Sequence, residues 1–210
     1  MGLGPHLCFL HGFCEDSTLW DAIVDSLKND YTILCIDLPG FGQSADEEVR
    51  SIPDTALLVN EILKSENAEN FILFGHSMGG YIVAEYIKQF GTDISAAALI
   101  HSTCRSDSDD KKMHRVKTME FLKNNGSKYF FPVFVKSLVA ENNFTRLESK
   151  LNSLVQKTKT SSIIDGLESM RVRDDRLTAL THFNKPILFL IGQEDTHYKK
   201  KELFQQVALC

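Results

Sequence analysis

Apolar and polar positions divide the chain into short, nearly uncharged runs and longer amphipathic ones. The runs at 6–10, 31–37, 71–74, 96–101 and 186–191 are rich in aliphatic and aromatic residues. Their length and lack of charge predict strands buried on both faces. Between them the period lengthens. Leu19, Trp20, Ile23, Val24 and Leu27 fall on one face of a helix over 17–29, with Asp16 or Ser17 placed to cap it. A second helix is expected over 53–64, with Pro53 in its first turn. In a third, Ile82, Val83, Tyr86, Ile87 and Phe90 repeat at helical spacing, and Gly91 is placed to end it. Strand and helix in alternation predict an α/β fold, a doubly wound and mostly parallel sheet.

From about 105 to 183 the alternation stops and no strand is expected. Helical segments are marked by Met113, Val116, Met119 and Leu122, by Phe144, Leu147, Leu151, Leu154 and Val155, and by Ile163, Ile164, Leu167 and Met170. A further aromatic segment, Tyr129 to Phe134, is interrupted by Pro132. The expected layout is a core over 1–104, a helical cap or lid over 105–183, and the core continued over 184–210. Long excursions at a ligand-binding edge commonly serve as lids.

The chemistry centres on Gly75-His76-Ser77-Met78-Gly79, which fits G-x-S-x-G between an expected strand and an expected helix. A serine on such a sharp turn is thrust out of the sheet top, and the flanking glycines leave room for the tight packing. Ligands in parallel α/β sheets bind beyond the carboxyl ends of the strands. His11, Asp37, Ser77 and His101 all stand at or just past such ends.

Four stretches in order carry a resemblance: HGF at 11–13, DLPGFGQS at 37–44, GHSMGG at 75–80 and PILFLIGQED at 186–195. With them the chain resembles the α/β-hydrolase superfamily. The resemblance implies Ser77 as nucleophile, the backbone N–H groups of Phe13 and Met78 as oxyanion hole, and Asp195 as the acid of a catalytic triad. It implies structural roles for Asp37, His11 and His76, and hydrolysis of an ester or similar acyl bond through an acyl-enzyme on Ser77. The substrate is expected to be a small molecule with an apolar part. Carbon–carbon hydrolysis, acyl transfer and non-catalytic ligand binding are the alternatives within the same fold.

One departure stands out. The family's base is a histidine in a loop after one further strand, and no Gly-His pair follows Asp195. His197 is too close to Asp195 in sequence to take that position, and His114 and His182 belong to the insertion and its exit. His101 is the weak substitute. The family's opening hairpin is also missing before the HGF strand. The chain therefore reads as cut short at its C-terminus and at its N-terminus, with an incomplete sheet and little turnover of its own.

Composition narrows the partners. The formal charge is −5, from 23 basic and 28 acidic residues, so no nucleic-acid footprint is present. No apolar run approaches the roughly 18 residues of a membrane span. Five cysteines, with no C-x-x-C pair, and an N-terminus without a charged leader predict a reducing, cytoplasmic setting. Cys8 and Cys35 are expected to be buried thiols. No metal-ligand spacing is present, and no cofactor is expected.

Overall fold

The computed structural model describes residues 4–210. Strands β1 (His6–Leu10), β2 (Thr32–Ile36), β3 (Phe71–His76), β4 (Ile94–Ile100) and β5 (Ile187–Leu190) form one parallel sheet, in the order β2-β1-β3-β4-β5. Strand order reverses around β1, which puts the topological switch point between the carboxyl ends of β1 and β3. The strand at β4 begins ahead of its apolar run, because Ile94 pairs with Phe71 across a shift in register.

Alternation sorts the side chains into two layers. Leu7, Phe9, Ile72 and Phe74 face one side, where Trp20 seals the layer. The helix expected over 17–29 begins there as a 3-10 turn, Ser17–Trp20, and continues as α1 (Asp21–Leu27). The Asp16 carboxylate caps the turn by accepting from the Thr18 N–H at 3.0 Å. Cys8, Leu10, Ile36, Phe71 and Leu73 face the other side, against α2 (Ile52–Ser65) and α3 (Met78–Phe90). Ser51 caps α2 by accepting from the Asp54 N–H, and a proline sits in its first turn. Helix α3 is buried from Met78 through Ile87. Its polar members are accordingly paired: Tyr86 Oη donates to Asn60 Oδ1 at 2.9 Å, and Glu85 pairs with Arg176.

Two expectations about burial fail. The edge strand β5 is not buried on both faces: Ile187 and Phe189 pack on the core, while Leu188 and Leu190 are 56% and 50% exposed. No helix among the described residues covers their side. Cys35 is only half-buried, whereas Cys8 is fully buried. Burial pushes the Cys8 thiol up to about 12, so it is a packing group rather than a nucleophile.

Residues 105–183 hold α4 (Asp109–Asn125), α5 (Phe130–Ser137), α6 (Glu141–Val155), α7 (Thr160–Val172) and α8 (Leu177–Thr181), and no strand. Pro132 does not interrupt α5. It lies in the first turn, where a missing N–H costs nothing. These helices meet the loops beyond β1 and β2. Phe134 packs edge-on to Phe13 at 5.7 Å between centroids, Gly166 of α7 lies against Phe13, and Lys159 pairs with Asp46. A last helix, α9 (Lys200–Val207), follows β5. Among the described residues no helix is long and apolar enough to cross a membrane.

Candidate active site

Ser77 joins β3 to α3 at φ 48° and ψ −109°, a conformation that an L-residue holds only under constraint. Three hydrogen bonds supply the constraint. The Ser77 N–H donates to Ile100 O at 2.9 Å, and Ser77 O accepts from Gly80 N–H at 3.0 Å and from Ser102 Oγ at 2.7 Å. The glycines of the motif are required by approach distances. A Cβ on Gly75 would lie 2.4 Å from the Gly79 carbonyl carbon, and one on Gly79 would lie 2.5 Å from Leu10 O. Only bare backbone lets α3 start hard against the ends of β1 and β3.

The exit of β1 supplies the neighbouring turn. His11 is fully buried, and its Nε2 accepts the Leu38 N–H at 2.9 Å. The ring proton must then sit on Nδ1, which donates to Gly12 O at 2.8 Å. Burial holds the His11 pKa below its ordinary value, in keeping with this neutral tautomer. His11 therefore locks the β1 exit to the β2 exit. Asp37, at the β2 exit, spends both carboxylate oxygens on backbone: Oδ1 accepts from Ser17 N–H at 2.6 Å and Oδ2 from Gln43 N–H at 2.8 Å. Neither the Phe13 nor the Met78 amide has a protein acceptor among the described residues.

Asp195 lies in the turn after β5 with its side chain 6% exposed. Its Oδ1 accepts from the His197 N–H at 2.8 Å, and its Oδ2 lies 3.2 Å from His101 Nδ1. Burial opposes the charged carboxylate, but these two partners win and hold Asp195 below its ordinary pKa. His101 follows β4 with φ 45°, and its N–H donates to Leu190 O at 2.9 Å. Its ring lies against Gly192, where a Cβ would be 2.4 Å from His101 Cε1. The backbones of Ser77 and His101 are thus adjacent, since the residue before His101 accepts the Ser77 N–H. His197 reaches away, its Nε2 2.9 Å from Ser137 O on α5. His114 and His182 are exposed on the insertion.

Three residues at this site have no place in the sequence motifs. Glu15 sends Oε2 to the Gly12 N–H at 2.7 Å and to His76 Nδ1 at 2.8 Å. Tyr81, one helical turn beyond Ser77, hydrogen-bonds Tyr198 hydroxyl to hydroxyl at 2.6 Å. Tyr198 stands beside Ser77, which draws its pKa down. The phenols lie under cations: Arg173 is 3.7 Å above the Tyr81 ring and Lys111 4.5 Å from the Tyr198 ring centre. Burial would raise Tyr81, but Arg173, Lys111 and Arg115 draw it below its ordinary value, while burial and Tyr81 push Tyr198 well up. Arg173, Arg115 and Lys111 converge on one buried carboxylate, Asp107, at 2.8, 2.5 and 3.9 Å. Three cations against one carboxylate leave local positive charge. The helical spacing of Tyr81 from Ser77 was the one available sequence signal; Tyr198 had none. Among the described residues no group of three or more His, Cys, Asp or Glu is placed to hold a metal ion.

Comparison with known proteins bears on the fold. A 2-succinyl-6-hydroxy-2,4-cyclohexadiene-1-carboxylate synthase of Escherichia fergusonii is 41% identical over 78 residues, which are 37% of this chain and 31% of that protein. The match thus spans under a third of the relative. Among solved structures, an esterase from Thermogutta terrifontis superposes with a TM-score of 0.90 at 22% identity, over 100% of this chain and 79% of that one. MenH from S. aureus gives 0.80 at 20% identity, over 98% and 80%. An enol-lactonase from Burkholderia xenovorans gives 0.87 at 15% identity, over 98% and 79%. At these identities the superpositions speak for the fold alone. Residues 5–197 match the family described as the alpha/beta hydrolase fold, and the chain belongs to that family.

Proposed function

We propose that the protein is a serine hydrolase that cleaves an ester or similar acyl bond of a small molecule. The observation that carries this reading is the strained Ser77 elbow between β3 and α3, held by hydrogen bonds to Ile100, Ser102 and Gly80. In the reaction Ser77 Oγ attacks the acyl carbon. The Phe13 and Met78 amides receive the developing oxyanion, whose collapse breaks the ester C–O bond and expels the alcohol with the proton taken from Ser77; water then hydrolyses the acyl-enzyme, freeing the acid and restoring the serine hydroxyl. Asp195 acts as the orienting carboxylate. The imidazole it holds in this chain is His101, and we assign His101 the base that takes the Ser77 proton. The helices over 105–183 serve as a lid, and the aromatic face around Phe13, Phe41 and Phe134 takes an apolar part of the substrate.

The test is turnover of a short activated ester by the wild type, Ser77→Ala and His101→Gln. Ser77→Ala should remove turnover. His101→Gln should lower it about 100-fold or more, the usual worth of a general base. Undiminished turnover in either variant would remove that residue from the mechanism.

A second reading is favoured by one observation. The surplus of cations on Tyr81 and Tyr198 suits a substrate that carries a carboxylate, and the name of the Escherichia relative includes such a group. On this reading the elbow serves a synthase of an acidic small molecule. Competition of a dicarboxylate with ester turnover, lost in Lys111→Ala, would favour it.

A further inference from the structure

Glu15 supplies no group to the reaction proposed above, yet its side chain is 5% exposed. A buried carboxylate is costly unless it is fully partnered. Its Oε2 has two partners from different strand exits, the Gly12 N–H at 2.7 Å and His76 Nδ1 at 2.8 Å. Gly12 immediately precedes Phe13, and His76 immediately precedes Ser77. One oxygen atom therefore links the turn that offers an amide to the oxyanion with the residue beside the nucleophile. The joint is tight: a Cβ on Gly12 would lie 2.5 Å from that oxygen and 2.9 Å from His76 Nδ1. Trp20 packs edge-on to the outer side of the His76 ring.

We infer that Glu15 and His76 are positioning residues whose ion pair sets the distance between the Phe13 amide and Ser77. The inference rests on the roles proposed above for those two groups. An oxyanion donor works only within hydrogen-bond distance of the developing charge, so a turn that drifts by an ångström loses its effect. The pair resists that drift because both bonds run to a charged acceptor, which shortens and strengthens them. Loss of charge on either partner leaves a neutral contact and frees the turn. The groups facing the pair are few. His11 and the Cys14 thiol lie beside Glu15, and His101 and Asp195 lie beyond His76.

The test uses ¹⁵N-labelled protein and two variants, Glu15→Gln and His76→Gln. In the wild type the Gly12 amide proton should stand downfield and should titrate together with the His76 ring. In Glu15→Gln it should move upfield and cease to follow His76, and the Phe13 amide should shift with it. Labelling of Ser77 by a fluorophosphonate should slow about tenfold or more in both variants. His76→Gln keeps the experiment decisive if Glu15→Gln does not fold. Unchanged Gly12 and Phe13 resonances in a folded variant would overturn the inference, whatever the labelling shows. Labelling that survives Ser77→Ala would instead strike at the nucleophile and leave the NMR result to decide the positioning role.

Discussion

Ser77 shows how much one residue's backbone can say. Its φ and ψ suit glycine, and a serine there stores strain of order 1–3 kcal/mol. Ser77→Gly should therefore raise stability by about 1 kcal/mol in urea unfolding, while Ser77→Ala should not. Equal midpoints for the two variants would mean that the elbow is unstrained. Glu15 and His76 make a second residue-scale prediction. Burial disfavours the His76 imidazolium, but Glu15 more than offsets this and raises its pKa. A raised histidine stabilises fully below its unfolded value near 6.5 and loses that stability as pH rises through the folded value. Glu15 is held low by His76 and Gly12 against burial, so its contribution is present above about 4.3 and fades as pH falls through the folded value. Unfolding free energy should thus be greatest, for this pair, between about 4.3 and 6.5. In Glu15→Gln the acid limb should vanish, and the gain from His76 at low pH should be lost because burial then acts on the imidazolium without the Glu15 carboxylate; a wild-type profile in that variant would contradict the pairing. Ser77, Asp195 and the Phe13 and Met78 amides could be nominated from sequence because their residue types sit in a fixed local pattern. Glu15 and Tyr198 could not, and Tyr81 only by its helical spacing from Ser77, since their partners lie 61 and 117 residues away and only folding brings them together.

At the scale of elements, the strands were legible because a parallel sheet needs short apolar runs, and the helices because they bury one face. What escaped was context. The helix over 17–29 opens as a 3-10 turn because Asp16 captures the Thr18 amide at its start. Pro132 reads as a break until its place in a first turn is known. The apolar look of β5 predicts two buried faces, yet Leu188 and Leu190 stand open. An edge strand's run does not reveal which faces are covered. The elbow also sets a limit on substitution: Gly79→Ala would drive a methyl into the carbonyl of Leu10. Backbone cannot yield as a side chain can, so the cost should be about 3 kcal/mol. Gly126→Ala has open space instead, and its cost should come only from its positive φ. Chemical denaturation of the two variants checks the contrast. A Gly79→Ala midpoint near that of the wild type would contradict the packing described for the start of α3.

Across the whole molecule, the parallel sheet brings its five strand exits to one edge, and the helical insertion sits against those of β1, β2 and β5. The order of the strands makes this so. With β1 flanked by β2 and β3, the HGF turn and the serine elbow lie at one switch point, and β4 and β5 place His101 beside Asp195. If the insertion is a lid, a covalent adduct on Ser77 should slow hydrogen exchange in α5 and α7, which touch Phe13, and leave α1 unchanged. Uniform slowing would argue against a lid. The proposed nucleophile, Ser77, is tested by its covalent capture. The chain is treated with a fluorophosphonate, and the adduct is located by peptide mass spectrometry in the wild type and in Ser77→Ala. The account predicts a single adduct on the peptide containing Ser77 and none in the variant. An adduct on another residue, or one that persists in Ser77→Ala, would contradict it.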